Sequence, residues 1–535
     1  MLNLRRCMPA VMFILLGWLA VGTADAQPFT CNTSAVPLQV RTEGLTELVA
    51  DMKLTCTGGV VGQSLTANLA IFTNTNITSR ILSGGGSEAL LTIAPPPYTP
   101  ATLYQGQMSG NNSLVFSGVS ISMPGSGTRE LNFRNVRVNA TMLPVNSLVI
   151  MYVTMATSIS VPISNPQQTV AMTQTGLSFE VRKTDDSASA VPNLVSCPGN
   201  NVSLFTLLGD YPTGATPGGR TFNLKFKEGF SNSFRNKTQE HGSFDNTWPV
   251  PLNTAGLADH GARLRAVFTG IPNNVTLFVT KLQVAPGTST GVQAHCTLPS
   301  GMSCPQNASA DGGLYQVPSS GEVYWEIDAA SSLAVESVSF GVAVAFNPMA
   351  VSVPITAHVL GTFAPISTVG TASATEDVPR FVSSGTAIPA FTLRGCGTVL
   401  AFQFVTSSAG FDTGIAVTNM ALDNPIYNTI GQTGKCTAYF YTLTGPPPSP
   451  KISPSLPPGG QWLWTMWSHY ADFQGYVLVA CEFQYAHGYA FVSNLGMSGP
   501  DRFAQSYQAL VLPDRTRVPD PSSTSVAGSG EQLLQ

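Results

Sequence analysis

Residues 476–491 read YVLVACEFQYAHGYAF. Cys481, Phe483, Tyr485, His487, Tyr489 and Phe491 share one parity, and Glu482, Gln484, Ala486, Gly488 and Ala490 share the other. A period of two belongs to a β-strand, whose successive side chains point to opposite faces. The bulkier set is expected to face a core, with His487 among it as a hydrogen-bonded core residue. Upstream, CTAYFY (436–441) places Cys436 on the parity of Ala438 and Phe440. Two core-facing cysteines on neighbouring strands would meet, so Cys436 and Cys481 are expected to pair. The intervening GPPPSPKISPSLPPGG (445–460) is barred from a strand interior, because proline donates no ladder hydrogen bond. It reads as a long polyproline-like loop.

The same signature recurs along the chain. Short runs rich in Val, Ile, Thr and Phe, such as 65–72, 147–154, 275–284 and 335–346, alternate with turn residues. After the first 26 residues no helical pattern persists for three turns. The best helix candidate is 44–52, where Glu47 and Asp51 lie four apart. It runs straight into LTC (54–56), so the start of a strand is an equal reading. Many short strands without alternating helices give an all-β class: three consecutive β-sandwich domains, Ig-like or jelly-roll-like, after a signal peptide. The expected units are 27–182, 194–360 and 380–513. Polar, small-residue stretches at 183–193 and 361–379 separate them, and 514–535 forms a disordered tail.

Composition agrees. Of 535 residues, 43% are hydrophobic and 10% charged, against about 25% charged in an ordinary soluble domain. A disordered chain would be more charged and less apolar. A nucleic-acid binder would be basic, whereas Lys+Arg is 25 and Asp+Glu 29. Residues 1–26 read as a secretory signal: Arg5 and Arg6, then an apolar run from Val11 to Val21, then Ala24, Asp25 and Ala26 before Gln27. No later stretch offers ~18 consecutive apolar residues, so no integral membrane segment is expected after cleavage. Cys7 leaves with the signal. An even number of cysteines in an exported chain favours disulfides, and the expected pairs are Cys31–Cys56, Cys296–Cys304 and Cys436–Cys481. Cys197 and Cys396 pair with each other or stay free.

Candidate chemistry is sparse. Asp412 opens a DTG triplet, the form in which aspartic proteases present a carboxylate. That chemistry needs two carboxylates sharing a proton, and there is no second such triplet; a turn before a strand accounts for it. Ser289 stands in GTSTG (287–291), a G-x-S-x-G pattern that requires a following helix, yet VQAHC (292–296) looks extended. No histidine spacing suits a metal, so neither metal nor cofactor is expected. The densest aromatic cluster is Trp462, Trp464, Trp467 and Tyr470, with Phe473 and Tyr476 close by. Exposed on a sandwich, such rings would stack on sugars; packed inside, they would fill the third core. Sequons occur at Asn32, Asn76, Asn111, Asn139, Asn201, Asn236, Asn274 and Asn307.

Several stretches resemble one family. VRTEGLTELV (40–49), LTCTGG (54–59) and NITSR (76–80) are similar to the opening domain of a group of uncharacterised secreted bacterial β-rich proteins. TAGLADHGAR (254–263) is similar to their middle domain, and GFDTGI (410–415), FQGY (473–476) and FQYAHG (483–488) to their C-terminal domain. The resemblance implies a secreted or envelope setting and no known activity. The expected function is therefore non-catalytic: a structural, adhesive or ligand-binding role at the cell exterior, with a glycan or another extracellular protein as partner. A carbohydrate-binding protein using the tryptophan cluster is the first alternative, and a secreted aspartic-type hydrolase through Asp412 the second.

Overall fold

The computed structural model describes residues 28–95, 98–99, 101–196, 220–273, 275–305, 313–346, 355–395, 397–420, 432–442, 445–494 and 502–512. The expected signal and tail, with Cys197 and Cys396, lie outside these residues. Six of the seven sheets form three sandwiches, each around its own core, and the seventh is a two-stranded pair of Glu47–Leu48 with Arg137–Val138. The all-β reading holds.

In the first sandwich, strand Met52–Gly58 lies between Thr30–Ser34 and Gly125–Arg134. Met52, Leu54 and Cys56 point inward while Lys53, Thr55 and Thr57 point away. Strand Ser64–Thr73 of the facing sheet contributes Leu65, Ala67, Leu69 and Ile71. Each fully buried leucine or isoleucine contributes about 1.5–3 kcal/mol relative to exposure. Cys31 and Cys56 are register partners and form a disulfide. The 44–52 stretch is not helical. Glu47–Leu48 pairs with Arg137–Val138, Leu45 N donates to Arg380 O, and Glu47 is drawn to Arg41. Tertiary partners there override any local helical preference.

The second sandwich gathers strands from a wide span of chain. Leu177–Arg182 pairs with Phe222–Glu228, and Ile388–Gly395 pairs with Ile355–Ala364. The polar stretch at 183–193 therefore connects two strands of this one sandwich, Leu177–Arg182 and Asn193–Ser196. Cys296–Cys304 forms the second disulfide. Trp325 stacks on Phe340 with ring centroids 4.0 Å apart and gives its indole N–H to Thr280 O at 2.9 Å.

A buried ionic cluster joins the first two sandwiches. Arg41 Nε lies 2.7 Å from Glu47 Oε1, and Arg41 Nη2 lies 2.7 Å from Glu240 Oε1. Arg235 approaches both carboxylates. Arg137 pairs with Glu88 and donates to Glu240 O. The guanidinium of Arg41 also lies 4.8 Å from the Phe381 ring centroid, within cation–π range. Burial acts to raise the Glu240 pKa, but Arg41, Arg235 and Arg137 hold it below the ordinary carboxylate value. Glu240 ends the one-turn helix Lys237–Glu240, fixed by a capping box between Asn236 and Gln239. Beside the ions, Trp248 and Leu252 of the second sandwich pack on Leu82, Leu90 and Leu103 of the first. The stretch 40–49 thus supplies Arg41 and Glu47 to this junction, Arg80 of 76–80 pairs with Asp259 of 254–263, and Gly256 N donates to Glu88 Oε2 at 3.1 Å.

In the third sandwich, Cys436 and Cys481 are opposite in register and bonded. Residues 445–460 loop across with only a two-residue strand, Lys451–Ile452, on the sheet edge. The expected single run from 476 to 491 is two strands, Gln474–Cys481 and Ala486–Ser493, in different sheets. Between them Tyr485 adopts φ 61°, and the facing reverses. Cys481 and Phe483 point inward, whereas Ala486, Ala490 and Val492 fill the core side of the second strand. His487, Tyr489 and Phe491 are exposed, so the core position expected for His487 is corrected. The interior has no room for that bulkier set. A Cβ on the inward-side Gly488 would lie 2.6 Å from Phe402 Cζ and 3.0 Å from Leu400 Cδ1.

Candidate binding face of the third sandwich

The outer sheet of the third sandwich orders its strands as Gln461–Thr465, Asp412–Asn419, Ala486–Ser493 and Ala504–Gln508. In Gln461–Thr465 the alternation is strict. Trp462 and Trp464 point inward, at 6% and 8% exposure, with rings 4.0 Å apart. Gln461, Leu463 and Thr465 point outward. Trp467 and Tyr470 lie beyond the strand end, at 60% and 43% exposure. The four expected ligand residues therefore divide, two filling the core and two facing solvent.

The reversal at Tyr485 builds a different constellation. Ala416 is the register partner of Leu463 on one side and Tyr489 on the other. Gly414 stands likewise between Thr465 and Phe491. Leu463, Tyr489 and Phe491 are exposed, so two rows of large side chains flank a floor of glycine and alanine. The result is an open trough of about 480 Å³ lined by these residues and Trp464. The walls are two strand spacings apart, ~9.6 Å between backbones. At one end, Trp467 N donates to Asp412 Oδ1 at 2.9 Å. Sequence reasoning missed Leu463, Tyr489 and Phe491 as surface residues. The available signal was the small-residue alternation of Ala486, Gly488 and Ala490, which marks a crowded inner face.

The other candidates serve local structure. Asp412 Oδ1 also accepts from Thr413 N at 2.8 Å, and no ion pair reaches it among the described residues. It opens strand Asp412–Asn419 without a second carboxylate bonded to it. Ser289 Oγ accepts from Ser337 N, and Ser289 N donates to Ser337 O, which ties the G-x-S-x-G loop to a neighbouring strand. His295 Nδ1 instead lies 2.9 Å from both carboxylate oxygens of Asp328. Among the described residues no cluster of three His, Cys, Asp or Glu side chains could hold a metal, and no helix is long and apolar enough to cross a membrane. Several sequon amides have structural work: Asn76 and Asn139 donate to Gly370 O, and Asn236 caps a helix.

No protein-family model matches the chain, and no curated protein sequence matches it. Among solved structures it is similar to the C-terminal domain of the Streptococcus agalactiae AgI/II polypeptide BspA, at 9% identity and TM-score 0.28 over 68% of this chain and 99% of that one. It is similar to the serine-rich repeat protein Srr2 of the same species at 12% identity and TM-score 0.19, over 63% and 93% of the two chains. For the CupB6 tip adhesin of Pseudomonas aeruginosa the values are 10%, 0.18, 69% and 96%. Likenesses of this size define neither a shared fold nor a function.

Proposed function

We propose that the protein is exported and acts at the cell exterior as a non-catalytic adhesive protein, holding a ligand against the outer sheet of its third sandwich. The observation that carries this reading is the trough around Ala416. A solvated sheet face ordinarily presents polar side chains, whereas Leu463, Tyr489 and Phe491 stand exposed in a contiguous group. Contiguous exposed apolar surface marks interaction sites. The cystines Cys31–Cys56, Cys296–Cys304 and Cys436–Cys481 suit an oxidising compartment, and the expected signal supplies the route there. In this reading Asp412 orders the trough's end through its two backbone N–H bonds.

The test is adhesion of the purified protein to surfaces coated with extracellular glycans or proteins, compared with an Ala416→Trp protein whose trough is filled. Wild type should adhere to a coating that the variant leaves. Equal adhesion by the two folded proteins to every coating would reject the trough as the contact. Fractionation, with N-terminal sequencing that finds Gln27 first, tests export.

A further inference from the structure

We propose that the ligand of this trough is a neutral oligosaccharide chain, bound along the strand Asp412–Asn419. The inference rests on the adhesive reading and names its ligand class.

Charge comes first. No residue lining the trough is ionisable as Lys, Arg, Asp or Glu. Asp412, at the trough's end, spends one carboxylate oxygen on the backbone N–H groups of Thr413 and Trp467. An anionic ligand would lose hydration there and meet no opposite charge, and a cationic one would find only the Asp412 carboxylate at one end. The complement of such a lining is an uncharged molecule.

Backbone availability comes next. A bound polypeptide commonly adds a strand to a free sheet edge. The trough floor has none, because Gly414 to Thr418 pair with Gln461–Thr465 on one side and with Ala486–Ser493 on the other. An extended peptide laid in the trough would find no ladder partners on this floor. The ligand must be read by side-chain faces and carry its own hydrogen-bonding groups outward.

The side chains supply that reading. Tyr489 and Phe491 expose their rings beside a floor of small residues, and such rings suit the apolar face of a pyranose. Hydroxyl, amide and imidazole groups surround them. Thr418 lies in register with Gln461 and His487 beyond one end of the floor, and Gln508 and Ser506 lie in register with Tyr489 and Phe491 beyond the aromatic wall. Such groups donate and accept equally well, as sugar hydroxyls require. The ~9.6 Å between wall backbones leaves room for a single chain of rings.

The test uses the whole protein and linear neutral hexasaccharides of glucose, mannose and xylose, titrated by calorimetry and intrinsic fluorescence. A Cβ on Gly414 would meet nothing nearer than Phe491 O at 3.9 Å, so Gly414→Val fills the trough without disturbing the strand. At least one hexasaccharide should bind wild type. Gly414→Val and Tyr489→Ala should each weaken it by about tenfold or more, with unchanged melting temperature. No binding of any hexasaccharide at roughly 10 mM, undiminished binding in both variants, or preference for an oligogalacturonate would overturn the proposal. If the hexasaccharides fail while Ala416→Trp still abolishes adhesion to a protein coating, only the ligand class falls. If neither effect appears, the adhesive reading falls with it.

Discussion

Leu463 and Tyr489 face each other across Ala416, their common register partner, and both side chains stand in solvent. They sit on different strands and support no core. Leu463→Ala and Tyr489→Ala should each change stability by less than about 0.5 kcal/mol. Together they should add to within ~0.5 kcal/mol. Denaturant unfolding of the two single variants and the double variant checks this, and a larger loss would mean that the pair is structural.

The two ends of the tryptophan cluster should separate cleanly. Trp462 is buried against Trp464, whereas Trp467 is largely exposed. Trp462→Ala should cost about 3–5 kcal/mol through lost burial and the cavity left behind. Trp467→Ala should cost under ~0.5 kcal/mol. Equal losses in equilibrium unfolding would contradict the inward and outward assignment.

The ionic junction should be intolerant of single deletions. Glu240→Ala leaves Arg41 and Arg235 buried with less compensation. Breaking a buried pair from one side costs about 3–5 kcal/mol. The expected result is a lower denaturation midpoint, together with earlier protease cleavage between the first two sandwiches. A loss below ~1 kcal/mol would mean that these charges are as well solvated as surface ones.

Stability should also carry an acid-favouring component. Burial pushes Glu228 up to about 7 from its ordinary 4.5, although backbone N–H bonds from Phe234 and Glu336 pull the other way. The folded form then holds this proton more tightly than the unfolded chain does. Its contribution is complete below pH 4.5 and is lost as the pH rises through about 7. Between those values the thermal midpoint of wild type should fall relative to that of Glu228→Gln, which cannot ionise. Parallel pH profiles for the two proteins would refute the assignment.

Local pattern decided a good deal here. The period-two run at Cys436–Thr442 specified a strand and its inward residues. Parity placed Cys436 opposite Cys481, because a strand's alternation is a property of the backbone itself. What pattern could not decide was which parity of Ala486–Ser493 meets the core. Both sets are largely apolar, so the choice fell to volume: Phe402, Leu400, Trp462 and Trp464 already fill the interior, leaving space for alanine and forcing Tyr489 and Phe491 into water. The junction was equally invisible. Arg41 and Glu47 lie far along the chain from Arg235 and Glu240, and only folding brings the two sets of charges within reach of one another.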